Sequence, residues 1–123
     1  MSRFVKVHGP TILWAVLIFV LSSIPSLRPP DIGFSLQDKL FHFLEFGVFG
    51  FFLQRSFAHV YGNRFRVYFI VLTVGAAYGA LDEIHQSFVR GREAEAFDFL
   101  ADTTGIVFAQ IVFWTVNRMN LFK

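Results

Sequence analysis

Four apolar runs, at about residues 9–24, 40–61, 67–88 and 97–116, leave little of this 123-residue chain outside them. Each approaches the roughly 17–25 residues that an α-helix needs to cross the hydrocarbon core of a bilayer. Hydrophobic residues make up 54% of the chain, with 18 Phe. A soluble domain averages about 45–50% apolar even with Gly counted, so one small core could not bury them all. The expected fold is all-α and integral to a membrane: four transmembrane helices in one domain spanning residues 1–123. Loops between the runs are short, which predicts neighbouring helices running antiparallel in a bundle. Pro25, Pro29 and Pro30 end the first run.

Arg3 and Lys6 ahead of that run resemble the start of a secretory signal, but no Ala-x-Ala-like cleavage site follows it. The first run is therefore expected to stay as an anchor. With no Cys there is no disulfide, thiolate metal site or Cys nucleophile. The net charge of +2 is too small to imply nucleic acid as a partner. Its distribution is more telling. Arg3, Lys6, Arg55, Arg64, Arg66, Arg118 and Lys123, seven of the 11 Lys and Arg, fall in the N-terminus, the second loop and the C-terminus. Every carboxylate lies in the other half. The positive-inside rule then predicts both termini in the cytoplasm, in a multi-pass protein of the inner (cytoplasmic) membrane.

The segment ALDEIHQSF, residues 80–88, places Asp82, Glu83, His85 and Gln86 at the end of an almost wholly apolar run. Charged groups near the bilayer centre cost roughly 2.5–3.5 kcal/mol on insertion scales, so they normally face protein or water. At 100° per residue Asp38, His42 and Glu45 share one face, with Gly47 and Gly50 nearby. Gly75, Gly79, Asp82 and Gln86 share another, flanked by Glu83 and His85; G75-A-A-Y-G79 is a small-xxx-small packing motif. Asp98, Asp102, Gly105 and Ala109 align on the last helix. Each stripe is small toward one end and polar toward the other, predicting a bundle tight on the inside and opening outward into a polar pocket. Asp38, Glu93 and Glu95, at helix ends, are expected to be solvated.

The order D38-K-L-F-H42-F-L-E-F46, D82-E83-I-H-Q86-S-F88, then R92 and D98-F-L-A-D102-T-T-G105, with S22-S-I-P25 ending the first helix, resembles the VanZ-like family of small bacterial membrane proteins. The resemblance runs from about Ser22 to Ala109. It implies an envelope-associated membrane protein, since the founding member is linked to resistance to teicoplanin, a lipoglycopeptide; it brings no established reaction. Two positions depart from the family pattern: Asp102 stands where Asn is usual, and Ala109 where a second Gly is frequent. An amide both donates and accepts, whereas a carboxylate only accepts. The site here is expected to be more acidic, or Asp102 to be protonated by its neighbours.

The expected pocket comprises Asp38, Lys39, His42, Glu45, Asp82, Glu83, Gln86, Arg92, Asp98 and Asp102, with Arg90 at its margin. The leading expectation is binding of an amphipathic envelope molecule, a lipid-linked precursor or a lipoglycopeptide, with its tail on the Phe-rich surface and no cofactor. Arg90 and Arg92 would suit a phosphate or carboxylate. Two alternatives stay open. One is a salt-bridge network that only fixes helix ends, with Lys39 and Arg92 as the internal cations. The other is a metal-dependent hydrolase on His42, Glu45, Asp82 and His85, spaced H42-x-x-E45 and D82-x-x-H85, with Asp98 or Asp102 able to add a further ligand. Whether the chain is an enzyme, and whether copies associate, is left open by the residues. An ion pathway fits less well, because the acidic groups stop about halfway and the opposite halves of the helices look dry.

Overall fold

The computed structural model describes residues 1–25, 36–92 and 94–119, all helix and connection among these. Pro29, Pro30, Asp31, Glu93 and Lys123, used in the reading above, lie outside the described residues. Four helices follow one another: α1 (Arg3–Ser23), α2 (Gln37–Tyr61), α3 (Phe65–Gln86) and α4 (Ala96–Arg118). They match the four apolar runs, each starting earlier, while α1 and α3 stop one and two residues sooner. α1 starts six residues before the apolar run because Ser2 caps it, its hydroxyl accepting from the Val5 amide at 3.3 Å. α2 stops at Gly62, whose φ of +89° suits a residue without Cβ.

Pro10 sits inside α1 and has no amide hydrogen to give the Lys6 carbonyl four residues back. The Arg55 guanidinium from α2 fills that role, donating to Lys6 O at 3.2 Å and Val7 O at 3.4 Å. A helix defect is thus turned into an inter-helix contact. Nearby, Thr11 and Ser56 share a hydrogen bond of 2.6 Å, and Trp14 Nε1 donates to Glu45 O at 2.8 Å.

α2 and α3 form the central pair. α1 packs on both from one side and α4 on both from the other, and α1 and α4 do not pack together among the described residues. Ile18, Phe46, Phe49, Leu53, Val67, Val71 and Ile106 make the apolar core. The outer surface is also apolar, with Leu13, Phe65, Phe69, Leu81, Phe108 and Ile111 exposed, while Gln54, Asp82, Gln86, Asp98 and Asp102 are buried. Polar groups inside and large hydrophobics outside is the reverse of a water-soluble arrangement.

α1, α3 and α4 are long and apolar enough to cross a membrane. α2 does not meet that measure by composition, although its 25 residues reach about 37 Å at 1.5 Å per residue. The difference from the expected four spans has a plain cause. Asp38, Lys39, His42, Glu45, Gln54 and Arg55 all ride on α2, the helix that neighbours each of the other three.

α2 and α4 approach most closely, through glycines. A Cβ on Gly105 would overlap the carbonyl oxygen of Phe43 and lie 3.1 Å from the Gly47 amide nitrogen. On Gly50 it would lie 3.0 Å from Ile106 Cα. Ile106 is fully buried, sandwiched between Gly50 of α2 and Gly75 of α3. Backbone atoms cannot step aside as side-chain tips can, so Gly105→Ala should force α2 and α4 apart and cost about 1–3 kcal/mol. Gly9→Ala meets only the Val5 side chain at 3.6 Å and should be neutral or slightly stabilising. Thermal unfolding of the two purified variants against wild type checks both.

Candidate functional site

The polar end gathers the last turn of α1, the first turns of α2 and α4, and the last turns of α3. On α2, Lys39 and His42 are three residues apart and so face the same way. On α4, Asp98 and Asp102 are four apart. The two ladders meet rung by rung. Lys39 Nζ donates to Asp98 Oδ1 at 2.6 Å and to Glu95 Oε2 at 2.7 Å. One turn deeper, His42 Nδ1 lies 2.9 Å from Asp102 Oδ1. His42 Nε2 lies 3.6 Å from Asp98 Oδ2, beyond an ordinary hydrogen bond.

α3 reaches its neighbours from three positions in its last turns. Asp82 faces α1, where the Ser22 hydroxyl donates to its Oδ1. Gln86 Nε2 donates to Asp82 Oδ2 at 3.1 Å and to Ser22 Oγ at 3.3 Å, closing a buried three-residue ring. Glu83 faces α4 and accepts from the Glu95 amide at 3.2 Å. Glu95 is the N-cap of α4 and makes no side-chain cap of its own. Glu83 therefore supplies from another helix the anionic acceptor that favours a helix N-terminus.

His85 turns the other way. Its Nε2 lies 2.8 Å from Ser23 Oγ, and its ring stacks on Phe19 with centroids 4.8 Å apart. It stands apart from the His42 cluster. Arg92 also takes a different partner from the one expected. Its Nη1 donates to Leu21 O at 2.9 Å and Ile24 O at 3.2 Å, the end of α1, where the last turn carries no base of its own. Glu45 is half-buried, within electrostatic reach of His42, Asp82, Asp102 and Arg92. Asp38 and Arg90 are exposed. Glu95, expected to be solvated, is exposed but paired with Lys39.

Asp102 packs against α3. Asp102 is completely buried, and a Cβ on Gly79 would lie 3.4 Å from its Oδ2. Beneath, Phe46 and Tyr78 floor the site, with the Tyr78 hydroxyl donating to Ala15 O at 2.5 Å. Two buried oxygens, Glu83 Oε1 and Asp102 Oδ2, have no hydrogen-bond partner among the described residues. Of the positions weighed as metal ligands, His42 and Asp98 come together at close range. The trio brought together is His42, Glu83 and Asp98, with one candidate ligand atom from each within 4.8 Å of the others. Glu45, Asp82 and His85 are not part of it.

A family model described as VanZ/LLP1 matches residues 9–117, nearly the whole chain. The chain belongs to the VanZ/LLP1 family. No curated protein and no solved structure matches it. Three spanning-length apolar helices together with this membership mark a membrane protein.

In this VanZ/LLP1 chain the opposite halves of the helices are not dry. Gln110 Nε2 donates to Gln54 Oε1 at 2.9 Å and to Tyr68 O at 2.7 Å, and both glutamines are buried. Polar residues inside an apolar run were the signal that singled out His42 and Glu45; Gln54 and Gln110 carry the same signal. Ser22 and Tyr78 gave no comparable warning, because their partners lie on other helices.

Removing one partner of a buried carboxyl leaves its desolvation unrepaid, so Ser22→Ala should destabilise by about 1–3 kcal/mol. A double-mutant cycle with Gln86→Ala should give coupling of about 0.5–3 kcal/mol, whereas independent residues would add. Unfolding in mixed micelles measures both.

Lys39 holds the Glu95 carboxyl below its ordinary range by hydrogen bond and charge. Its folded pKa is lowered, so the contribution is full above the ordinary carboxylate value of about 4.3 and fades as pH falls through the lowered one. Glu95→Gln should remove that part of the acid dependence. Comparing wild-type and variant unfolding between about pH 6 and about pH 3 reads the difference.

Proposed function

We propose that the polar end binds the head group of an amphipathic cell-envelope molecule, a lipid-linked glycan precursor or a lipoglycopeptide such as teicoplanin, and so contributes to glycopeptide resistance. The molecule enters from the extracytoplasmic side of the cytoplasmic membrane, and its tail lies along the apolar outer faces of the helices. The observation that carries this is unmet acceptor capacity. Glu83 Oε1 and Asp102 Oδ2 are buried without partners among the described residues. Each such group costs about 1–3 kcal/mol, which an incoming donor removes.

In this reading α2 is a fourth span, and the helices form an antiparallel bundle with both termini cytoplasmic. Support comes from the pairing of Thr11 with Ser56 and of Trp14 with Glu45, in which α1 residues later in sequence meet earlier ones on α2. The one-sided distribution of Lys and Arg agrees. A structural salt-bridge role fits Lys39, Asp98 and Glu95, whose charges satisfy one another across two helix starts. It leaves Glu83 and Asp102 over, and these are the groups assigned to the ligand.

The absence of native Cys makes topology directly testable. Ser87 and Arg64 are exposed at opposite ends of α3. A membrane-impermeant maleimide should label Ser87→Cys but not Arg64→Cys in intact cells. The reverse pattern would place the polar end in the cytoplasm and end this reading. For the ligand, cells producing wild-type protein should differ from empty cells in teicoplanin susceptibility. Asp102→Ala or Glu83→Ala, at equal membrane abundance, should return them to the empty-cell value. Unaltered susceptibility in both variants would sink the assignment.

A further inference from the structure

We infer that His42, Glu83 and Asp98 form a binding site for one divalent metal ion of the zinc or manganese kind, with Asp102 as the group that orients His42. The inference assigns to a metal one of the two unmet oxygens of the head-group reading, Glu83 Oε1, leaving Asp102 Oδ2 to the head group, and its test requires no envelope ligand. It starts from an unexplained distance. His42 Nε2 and Asp98 Oδ2 are 3.6 Å apart. That is long for a hydrogen bond, yet it is the spacing of two atoms that share a metal. Ligand bonds of about 2.0–2.2 Å at tetrahedral angles put neighbouring ligand atoms about 3.3–3.6 Å apart.

The other side of the imidazole is already prepared. A carboxylate only accepts, so Asp102 Oδ1, at 2.9 Å, takes the hydrogen of His42 Nδ1. With Nδ1 committed in this way, a metal at Nε2 would take the place of any proton there and use the lone pair that faces Asp98. A carboxylate on the far nitrogen is the usual support behind a metal-bound His, fixing both tautomer and ring orientation. The third ligand carries the independent observation. Glu83 is more than nine-tenths buried, and Oε2 accepts from the Glu95 amide. Oε1 has no partner among the described residues. Glu83 contributes an oxygen within 4.8 Å of the His42 and Asp98 atoms.

Charge favours the same conclusion. Glu45, Asp82, Glu83, Glu95, Asp98 and Asp102 share this network with Lys39, Arg92 and His42. Carboxyl groups outnumber possible cations two to one, and Arg92 is spent largely on α1 carbonyls. A doubly charged ion offsets part of that excess where the groups crowd most closely. One imidazole and two carboxylates, with no thiol anywhere in the chain, suit Zn2+ or Mn2+ better than soft ions. Three protein ligands leave at least one coordination position open.

The experiment uses the full chain, purified in detergent after chelator treatment, titrated with Zn2+ and with Mn2+ alone. Wild type should bind one ion per chain, and X-ray absorption of the loaded protein should show one imidazole among nitrogen and oxygen neighbours. Glu83→Gln and Asp98→Asn should each weaken binding by about tenfold or more, and Asp102→Asn by about 10–100-fold. His85→Ala, remote from the trio, should bind as wild type does. Should a substitution prevent folding, the absorption spectrum of wild type alone decides. No stoichiometric ion, a shell without imidazole, or equal binding by wild type, Glu83→Gln and Asp98→Asn overturns the site and leaves His42 as an ion-paired imidazolium. Because the probe is the metal alone, that result is separate from a failure in the susceptibility assay.

Discussion

The backbones of α2 and α4 touch where Gly105 meets the Phe43 carbonyl and Gly47 lies alongside, and the polar end is built on that contact. In lipid there is no hydrophobic drive to press apolar helix faces together, so close backbone approach supplies the attraction through dispersion and fixed geometry. The contact also sets reach. His42 lies one residue before Phe43, and Asp102 three before Gly105. A short side chain on each helix can therefore meet at 2.9 Å only because no Cβ separates the backbones below them. Larger residues at the glycines would act on the carboxylates without touching them.

Many polar groups inside the bundle are answered from a different helix. Arg55 repairs the carbonyl that Pro10 leaves open, Arg92 closes the end of α1, and Glu83 caps α4 from α3. Ser22, Asp82 and Gln86 settle their hydrogen bonds among themselves. Such bonds are modest singly, yet leaving one open in an apolar surrounding is expensive. They fix which helix stands next to which far more narrowly than Phe packing could. Among the described residues Glu83 and Asp102 break this pattern with one unanswered oxygen each, as Gln54 does with its Nε2.

Much of this was legible in the sequence, for reasons that also explain what was not. The four runs located four helices because apolar length is a one-dimensional property; their ends were misjudged where Ser2 and the polar first turns of α1 and α2 extend the helix past the apolar stretch. Helical spacing correctly aligned Asp98 with Asp102 and Asp82 with Gln86, since residues on one face are fixed by the backbone alone. It could not say which neighbour each face meets. Glu83 and His85 were both seen as flanks of α3, yet one turns to α4 and the other to α1, and only the first joins His42. Arg92 lies within electrostatic reach of Glu45 and Asp82, as charge suggested, yet its hydrogen bonds go to helix-end carbonyls, which no composition reveals.

Position 102 shows how much can hang on one oxygen. An amide there could turn its nitrogen or its oxygen toward His42, leaving the imidazole free to hold its hydrogen on either side. The carboxylate of Asp102 removes that choice, because it accepts and cannot donate while ionised. With Nδ1 committed, everything His42 offers the rest of the site leaves through Nε2, which faces Asp98 at a distance too great for direct bonding. Gly79 of α3 lies beside Asp102 Oδ2, where a Cβ would make ordinary contact at 3.4 Å. A residue read first as a departure from a family pattern thus becomes the element that gives the imidazole a direction.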